Sequence, residues 1–489
     1  MGPEHVDVMI VGGGLSGIAA AAHLQRECPG KSYAILESRE HLGGTWDLFR
    51  YPGIRSDSDM FTLGFSFKPW TGKKAIADGA TILGYLRDTA RELGIDRRIR
   101  YRHCVKRASW STHEALWTLE AECRPEGRST AFTCSFLVVC GGYYRYDAGY
   151  SPAFPGREQF SGTIVHPQHW PQDLVYAGKR VVVIGSGATA VTLVPALAES
   201  AAKVTMLQRS PSYVIAMPYE DKMTAFCRRH FSARTAFQLI RWRNILLGIY
   251  FYRKCRRQPE RIKNWIRAQA RAALGDDFDV TRHFSPRYQP WDQRMCIVPD
   301  GDLFKSMKSG KAAVVTDDIE AFTRDGIKLR SGGELQADII VSATGLNVVP
   351  LGGILFRVDG RTVELAKTMT YKGCMFSGLP NLASVVGYTN ASWTLKCELV
   401  CRYVCRLLNY MDKKGYSVAQ ARNDGASLAE EPWLSLTSGY IQRVSDQLPK
   451  QGSRKPWRLR QNYVLDAIAI RLGALDDGFL KFARRFTGR

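Results

Sequence analysis

The sequence predicts an α/β fold that contains two similar βαβ units, about 170 residues apart. In the first unit, an apolar strand over Val6–Val11 runs into a glycine-rich turn and then an Ala-rich helix from Ile18 to about Glu27. In the second, Arg180–Ile184 runs into another glycine-rich turn and a helix that ends near Glu199. Short apolar strands that alternate with helices in this way are typical of parallel sheets covered by helices.

The first glycine-rich turn has the residues that a dinucleotide pyrophosphate requires. Gly12, Gly14 and Gly17 provide, in order, a tight turn, an approach not blocked by a Cβ atom, and close packing at a helix N-terminus. The next strand ends in Glu37, an acidic residue at the distance where a carboxylate accepts hydrogen bonds from a ribose. We therefore predict that the first unit binds a dinucleotide.

The second turn differs where the ribose would lie. It consists of Gly185, Ser186, Gly187, Ala188, Thr189 and Ala190. The following strand, Lys203–Leu207, ends in Gln208 and Arg209 without an acid. A carboxylate there would repel a 2′-phosphate, whereas Arg209 can bind one through charge-assisted hydrogen bonds. The second unit is therefore predicted to bind NADP(H) rather than NAD(H), the alternative being that Arg209 is only a solvated surface charge.

Two nucleotide units in one chain are typical of flavoprotein oxidoreductases, in which FAD usually occupies the N-terminal unit. Disulfide reductases with this layout carry a redox Cys pair just after the first ribose acid, but residues 41–47 contain no Cys. None of the 12 Cys forms a Cys-x-x-Cys pair, which argues against zinc-ribbon and thioredoxin-like chemistry. The sequence predicts no metal, and oxygen becomes the leading destination for the electrons.

The segment before the second unit resembles the Baeyer–Villiger monooxygenase fingerprint, F-x-G-x-x-x-H-x-x-x-W-P. Its fixed positions are Phe160, Gly162, His166, Trp170 and Pro171. The resemblance to this family of class B flavoprotein monooxygenases covers essentially the full chain. It is strongest to the ethionamide-activating monooxygenase sub-branch, whose shared segments include Arg55–Asp59, Trp291–Arg294, Tyr388–Trp393 and Leu448–Ser453.

This resemblance implies an FAD-containing enzyme that uses NADPH and O2 to convert ketones to esters or lactones, and that also oxidises sulfides or thioamides. It implies that Arg294 is the fixed cation that stabilises negative charge during oxygen transfer, and that Asp57 orients this cation. The fingerprint, including His166, is expected to couple the domains rather than to transfer protons. Gln293 departs from the family, which often has Lys there, and this puts one cofactor-phosphate contact in doubt.

Further cofactor contacts also follow from the resemblance alone. They are expected at Ser16, Thr45, Trp46, Asp47 and Val105 on the FAD side, and at Arg55 and Ser56 where NADP meets the flavin. Two alternatives stay open: a flavin S- or N-oxygenase with little Baeyer–Villiger activity, and a degenerate nucleotide-binding protein at a membrane surface. The presence of both Arg294 and Asp57 argues against degeneracy.

The predicted organisation is an α/β fold with two Rossmann-like dinucleotide-binding domains, for FAD and NADPH, and a helical insertion. The expected parts are 1–145 and 343–489 for the FAD-binding domain, 146–217 (with the fingerprint linker) and 291–342 for the NADP-binding domain, and 218–290 for the basic helical insertion. Residues 99–140 are expected to form β-structure, and Leu395–Met411 a helix.

The net charge of +22 is concentrated in the insertion. Residues 222–271 hold 14 Lys and Arg and one acid, Glu260, which makes a local charge of +13. Aromatic residues interleave these charges, so a solvated helical subdomain and a peripheral contact with an anionic membrane both fit. Nucleic-acid binding has the charge but no recognised module, and none is predicted.

The sequence also predicts where the protein resides. It shows no signal peptide, because the apolar run Val8–Val11 is short and has no basic segment before it. No segment approaches the ~18 apolar residues of a membrane span. We expect a cytoplasmic protein, free or peripheral at the cytoplasmic face of the membrane.

Overall fold

The first glycine-rich turn lies at the carboxyl edge of a mixed sheet in the computed structural model, which describes residues 2–220, 222–423, 428–458 and 460–485. The strands of this sheet are β1 (Glu4–Val11), β2 (Tyr33–Leu36), β3 (Ile99–Arg100), β4 (His103–Ser111), β5 (Leu116–Cys123), β6 (Arg128–Val139), β17 (Leu355–Val358), β18 (Arg361–Thr362) and β21 (Leu382–Ser384). Their order is β18-β17-β4-β5-β6-β1-β2-β3, with β21 also paired to β6. The parallel part, β6-β1-β2-β3, carries the turn between β1 and the first helix.

The second glycine-rich turn lies at the carboxyl edge of a parallel sheet. Its strands are β7 (Thr163–Val165), β8 (Arg180–Ile184), β9 (Lys203–Gln208), β12 (Ala312–Thr316) and β16 (Ile339–Ser342). Their order is β12-β9-β8-β16-β7, and every neighbouring pair is parallel. Both faces of such a sheet are covered, which explains the unbroken apolar run Val181–Ile184.

Helices cover the two sheets and form the insertion. They are α1 (Leu15–Glu27), α2 (Thr45–Leu48), α3 (Met60–Leu63), α4 (Gly79–Glu92), α5 (Ala188–Leu197), α6 (Lys222–His230), α7 (Ala233–Arg257), α8 (Pro259–Leu274), α9 (Val280–Phe284), α10 (Asp302–Lys308), α11 (Trp393–Lys414), α12 (Gly439–Gln442) and α13 (Tyr463–Leu472). The helices α6 to α9 follow one another without an intervening strand. Helix α11 packs against α1 in the core of the first unit.

Short strand pairs complete the described chain. They are β10 (Val214–Met217) with β11 (Cys296–Pro299), β13 (Ile319–Thr323) with β14 (Gly326–Leu329) and β15 (Glu334–Gln336), β19 (Thr370–Tyr371) with β20 (Met375–Phe376), β22 (Val418–Ala421) with β25 (Leu480–Ala483), and β23 (Glu430–Pro432) with β24 (Lys450–Gly452).

The predicted fold class is confirmed, since each glycine-rich turn joins a buried parallel strand to a helix. The second helix ends at Leu197 rather than near Glu199. The basic segment 449–460 contains a short strand. Its residues Lys450–Gly452 form β24 because Glu430–Pro432, far away in sequence, pairs with them.

Candidate active site

A cavity of about 700 Å³ lies between the two glycine-rich turns. Its wall contains many of the residues that the sequence singled out for cofactor binding or catalysis. These are Gly12, Gly14, Ser16, Glu37, Thr45, Trp46, Arg55, Ser56, Asp57, Val105, Ala188, Thr189 and Arg294. The fold therefore brings together side chains from both units and from the predicted catalytic pair.

The first turn can be built only from glycine at two positions. Gly12 has φ +109°, and a Cβ atom there would lie 2.5 Å from the carbonyl oxygen of Cys140. A Cβ atom on Gly17 would lie 1.9 Å from the carbonyl oxygen of Gly12. The turn and the start of α1 are thus packed against each other, and the free N–H groups of the helix N-terminus are available to an anionic group.

Glu37 stands beside this turn at the end of β2. Its carboxylate accepts hydrogen bonds from the backbone N–H groups of Gly13 (2.7 Å) and Arg39 (2.9 Å). Burial raises the pKa of Glu37, against the lowering effect of these hydrogen bonds. The carboxylate therefore braces the turn and also lines the cavity, where a ribose hydroxyl of a bound dinucleotide would reach it.

Asp47 lies behind the wall rather than in it. Its side chain is 1% exposed and is surrounded by three guanidinium groups, those of Arg39 (2.7 Å), Arg50 (3.3 Å) and Arg87 (3.4 Å). Its neighbours on α2, Thr45 and Trp46, do line the cavity. The structure thus places Asp47 where it fixes α2 and its arginines.

Arg294 and Asp57 form an ion pair at the cavity wall, with 3.0 Å between Nη2 and Oδ2. The Asp57 carboxylate raises the pKa of Arg294 further above its usual range, so the guanidinium stays charged. The side chain of Arg294 is 31% exposed, and it lines the cavity. A permanent positive charge, held by one carboxylate, therefore faces the cavity.

The loop that carries Asp57 is held by contacts on both sides of that residue. Arg55 makes a bidentate ion pair with Asp302 on α10, with distances of 2.5 and 3.3 Å. Asp59 caps α3 through the N–H groups of Phe61 and Thr62, and it accepts a 2.9 Å hydrogen bond from Asn244 on α7. The position of Asp57 is thus set by contacts on either side of it.

The second turn is only partly exposed to the cavity. Ala188 and Thr189 line it, whereas Gly185, Ser186, Gly187 and Ala190 do not. Position 185 requires glycine, because the backbone has φ +134° there and a Cβ atom would lie 2.4 Å from the carbonyl oxygen of Ala343. The Ser186 hydroxyl donates to the carbonyl of Ser210 over 2.9 Å.

The two residues at the end of β9 have different environments. Gln208 is buried, and its amide donates to the carbonyl of His283 (2.8 Å) and to the hydroxyl of Thr316 (2.9 Å). That amide therefore holds β9 to its neighbours instead of facing a ligand. Arg209 is exposed at the carboxyl edge of the sheet, which leaves its guanidinium accessible to a phosphate.

The fingerprint residues lie outside the cavity wall and pack against the second sheet. Nδ1 of His166 accepts the N–H of Gln168 (3.1 Å), so Nε2 donates to the carbonyl of Gly345 (3.1 Å). Burial lowers the pKa of His166. A Cβ atom on Gly162 would lie 2.4 Å from the carbonyl oxygen of Asp338.

The remaining fingerprint side chains make apolar contacts. Phe160 meets the ring of Phe322, and Trp170 meets that of Tyr176, both edge to face. The fingerprint is thus a packed segment, and His166 does not line the cavity.

Several cavity residues were not identified from the sequence as site residues. Tyr143 and Tyr144 follow β6, and their hydroxyl groups are 2.7 Å apart. Trp393 stacks on Tyr143 and donates its indole N–H to the hydroxyl of Ser16 over 2.8 Å. The sequence signal for Tyr143 and Tyr144 is their position after Gly141 and Gly142 at the carboxyl end of a strand, where ligands bind in α/β sheets.

Comparison with protein families and curated proteins gives a consistent result. The model of the flavin-binding monooxygenase-like family matches residues 75–232, and that of an NAD(P)-binding Rossmann-like domain matches residues 10–71. The chain is 55% identical over 483 residues to the FAD-containing monooxygenase EthA of Mycobacterium tuberculosis (strain ATCC 25618 / H37Rv), which covers 99% of this chain and 98% of that protein. It is 47% identical over 484 residues to the probable FAD-binding monooxygenase AlmA of Acinetobacter baylyi, covering 99% and 97%.

Solved structures share the fold. An oxidized steroid monooxygenase bound to NADP superimposes with a TM-score of 0.76 at 24% identity, covering 98% of this chain and 100% of that one. An open crystal structure of cyclohexanone monooxygenase gives a TM-score of 0.74 at 20% identity, again covering 98% and 100%. The overall fold is therefore common to this chain and these proteins.

Proposed function

The chain belongs to the flavin-binding monooxygenase-like family, and on that premise we propose that it is a Baeyer–Villiger monooxygenase that converts ketones to esters or lactones. It depends on FAD and NADPH. The observation that carries the proposal is the ion pair between Arg294 and Asp57, which places a fixed cation on the wall of the cavity between the two nucleotide units.

The residues present fit two dinucleotides. Gly12 and Gly17 leave no room for a side chain, and Glu37 faces the cavity as a ribose acceptor on the FAD side. On the other side, Arg209 is exposed at the strand end where a 2′-phosphate would lie. When bound, FAD reduced by NADPH supplies the electrons that activate O2, so that one oxygen atom enters the substrate and the other leaves as water.

The role of Arg294 follows from its charge and position. Nucleophilic attack on a ketone carbonyl gathers negative charge, and a preorganised cation in a site shielded from water stabilises that charge without reorganisation. Asp57 holds the guanidinium in place and balances part of its charge before the reaction. The stacked rings of Tyr143 and Trp393 form the wall beside Ser16.

A second candidate is oxidation of sulfides or thioamides. In that reaction the sulfur is the nucleophile, so a stabilised negative charge on the oxidant is not required. Arg294 would then matter much less to the oxygen transfer. The same cavity could catalyse both reactions, and the products tell them apart.

The test is NADPH oxidation by the purified yellow protein with linear, cyclic and aryl ketones and one methyl aryl sulfide, followed by product analysis. Esters or lactones formed in step with NADPH consumption support the proposal. Sulfoxide without any ester indicates the S-oxygenase instead. NADPH consumption that yields only reduced oxygen species with every substrate contradicts both.

We also propose that the enzyme works peripherally at an anionic membrane surface, rather than with its insertion simply solvated. Within the described ranges, no helix is long and apolar enough to cross a bilayer. The support is the local charge of +13 over residues 222–271, where only Arg241 of the 14 cations is buried, because clusters of Lys and Arg on helices are attracted to anionic lipid.

A further inference from the structure

The exposed large apolar side chains of the described residues are concentrated on one part of the surface. Thirteen of the fifteen such side chains lie at positions 217–265 or 465–472, and the others are Val175 and Leu355. Leu246 is 55% exposed and Leu472 is 79% exposed. A monomeric protein rarely leaves apolar side chains gathered in this way unless they contact a partner or a membrane.

The middle of helix α7, from Leu239 to Tyr250, exposes apolar side chains on its outer side. Its inner residues, among them Phe237, Ile240 and Ile245, are buried in the body of the protein. Its outer residues Trp242 and Leu246 are 43% and 55% exposed. Exposed apolar side chains flanked by exposed cations, here Arg253 and Arg257, are typical of helices that lie at a membrane interface.

The rotation of α7 about its own axis is fixed by a buried cation. Arg241 is 3% exposed, and its guanidinium donates to the carbonyls of Phe61 and Gly64 (2.7 Å each) and to the carboxylate of Glu398 (2.9 Å). Turning α7 to bury its outer side would expose or unpair this charge, at a large cost. The outer apolar side chains are therefore held toward the outside.

Helix α13 continues this surface. Leu465, Ile468 and Leu472 recur at helical spacing and are 37%, 54% and 79% exposed. The ring of Tyr463 at the start of α13 lies 5.9 Å from that of Trp242 on α7. We call the outer residues Leu239, Trp242, Leu246, Tyr250, Ile468 and Leu472 the α7–α13 face.

We propose that the α7–α13 face inserts into the interfacial region of an anionic lipid bilayer, with the cations of α6, α7 and α8 around it on the lipid phosphates. Aromatic and aliphatic anchors flanked by Lys and Arg are the pattern of helices that lie in this interface. The proposal rests on the peripheral location proposed above and not on the reaction, and it adds α13, whose role the sequence did not indicate.

Charge favours a membrane over a second copy of the chain. A second copy would bring the same excess of cations to the contact, and like charges across an interface oppose association. An anionic bilayer, in contrast, would neutralise these cations. Aliphatic side chains at the centre of the face also suit acyl chains better than a nucleic-acid backbone.

The experiment measures co-sedimentation of the FAD-loaded full chain with vesicles of phosphatidylcholine, with and without phosphatidylglycerol, at low and high salt. Wild type should bind the anionic vesicles, and high salt should weaken that binding. The variant Leu246→Ser with Leu472→Ser should bind at least about tenfold more weakly, because two anchors are lost. The matched control, Val175→Ser with Leu355→Ser, removes exposed apolar side chains elsewhere and should bind like wild type.

Two further measurements test the proposal if Leu246→Ser with Leu472→Ser loses FAD or precipitates. Reversal of two exposed charges, Arg253→Glu with Arg257→Glu, should weaken binding by about fivefold or more per residue. Brominated lipid should quench the tryptophan fluorescence of wild type more than that of Trp242→Phe. NADPH oxidation in the absence of vesicles should be the same for all these variants, because none of the residues lines the cavity.

Three results would overturn the proposal. One is equal binding of the face variant and its control. Another is equal binding of wild type to neutral and anionic vesicles. The third is the absence of vesicle binding together with a change from oligomer to monomer in the face variant, which would assign the face to a second copy. Vesicle binding and ester formation are measured separately, so failure of one leaves the other standing.

Discussion

The side chains of Arg294 and Asp57 lie 3.0 Å apart although they are distant in sequence. Arg294 comes just before β11, whereas Asp57 lies in the loop after α2. The cation therefore reaches its position only when loop 55–59 is in place. That loop is itself tied to α10 by Arg55 and to α7 by Asp59. The charge that the proposed reaction needs is thus a product of contacts among separate parts of the chain.

Arg294→Ala should separate flavin reduction from oxygen transfer. NADPH should still reduce the flavin, since the side chain provides charge for the later step, but ester should form about 10²–10³-fold more slowly, the effect of losing one preorganised charge of ~2.7–4 kcal/mol. Anaerobic stopped-flow absorbance measures the reduction, and chromatography measures the ester.

The matched control for this prediction is Arg287→Ala, which removes an exposed arginine from the same segment. It should leave both rates unchanged. Ester formation at the normal rate by Arg294→Ala would contradict the role given to this residue.

Much of the fold could be predicted because its signals are local. The strand, the turn and the helix of each unit are consecutive in sequence. Gly17 is required because its backbone packs against the carbonyl of Gly12 in the same motif. The second strand's acid, Glu37, also lies at a fixed distance along the chain. The parallel parts of the two sheets could be predicted from these patterns alone, whereas the antiparallel pairing of β4, β5 and β6 could not.

The parts that could not be predicted depend on pairings between distant residues. Asp47 shares a motif with Thr45 and Trp46, yet Arg39 and Arg87 draw its side chain away from the cavity. Arg241 is one of the 14 cations of residues 222–271, and only the fold shows that it is buried against the carbonyl of Phe61 on α3. Composition cannot distinguish such a residue from its solvated neighbours.

Gly17→Ala should abolish FAD binding. Its new Cβ atom would overlap the carbonyl oxygen of Gly12, so the turn and α1 must move apart at the point where the pyrophosphate would bind. The cost of such overpacking is ~1–3 kcal/mol or more. The flavin absorbance of the purified protein and its Tm measure the effect.

Gly84→Ala is the control for that change, because Gly84 lies inside α4 and a Cβ atom there meets no atom within 4 Å. Alanine should be neutral or stabilising by ~0.5–1 kcal/mol. Full FAD occupancy in Gly17→Ala would show that the turn does not bind the cofactor in the predicted way.

Arg209→Ala should reduce the preference for NADPH over NADH. A charge-assisted hydrogen bond to the 2′-phosphate contributes ~1.5–3 kcal/mol, so the ratio of the two kcat/KM values should fall about 10- to 100-fold. The loss should appear with NADPH only, because NADH has no 2′-phosphate.

Lys203→Ala removes an exposed charge from the other end of the same strand and should keep the wild-type ratio. An unchanged ratio in Arg209→Ala would mean that its guanidinium is a solvated surface charge.

His23→Gln should destabilise the protein most at low pH. His23 is buried on α1, with Glu27 at 2.8 Å, Glu398 at 3.9 Å and Arg241 beyond Glu398. Burial alone would lower the pKa of His23, but the two carboxylates outweigh it and raise that pKa above the usual value. The protonated imidazole therefore stabilises the fold fully below ~pH 6.5, and this contribution is lost as the pH rises through the raised pKa.

The measurement for His23 is Tm against pH from ~5.5 to ~9, for wild type, His23→Gln and the exposed control His113→Gln. The pKa of Glu27 and of Glu398 is lowered, so both stay ionised over this range and do not add to the slope. The gap between wild type and His23→Gln should be widest at the acid end and close toward the alkaline end, while His113→Gln follows wild type. A gap of constant width would mean that His23 acts through its shape and not through its charge.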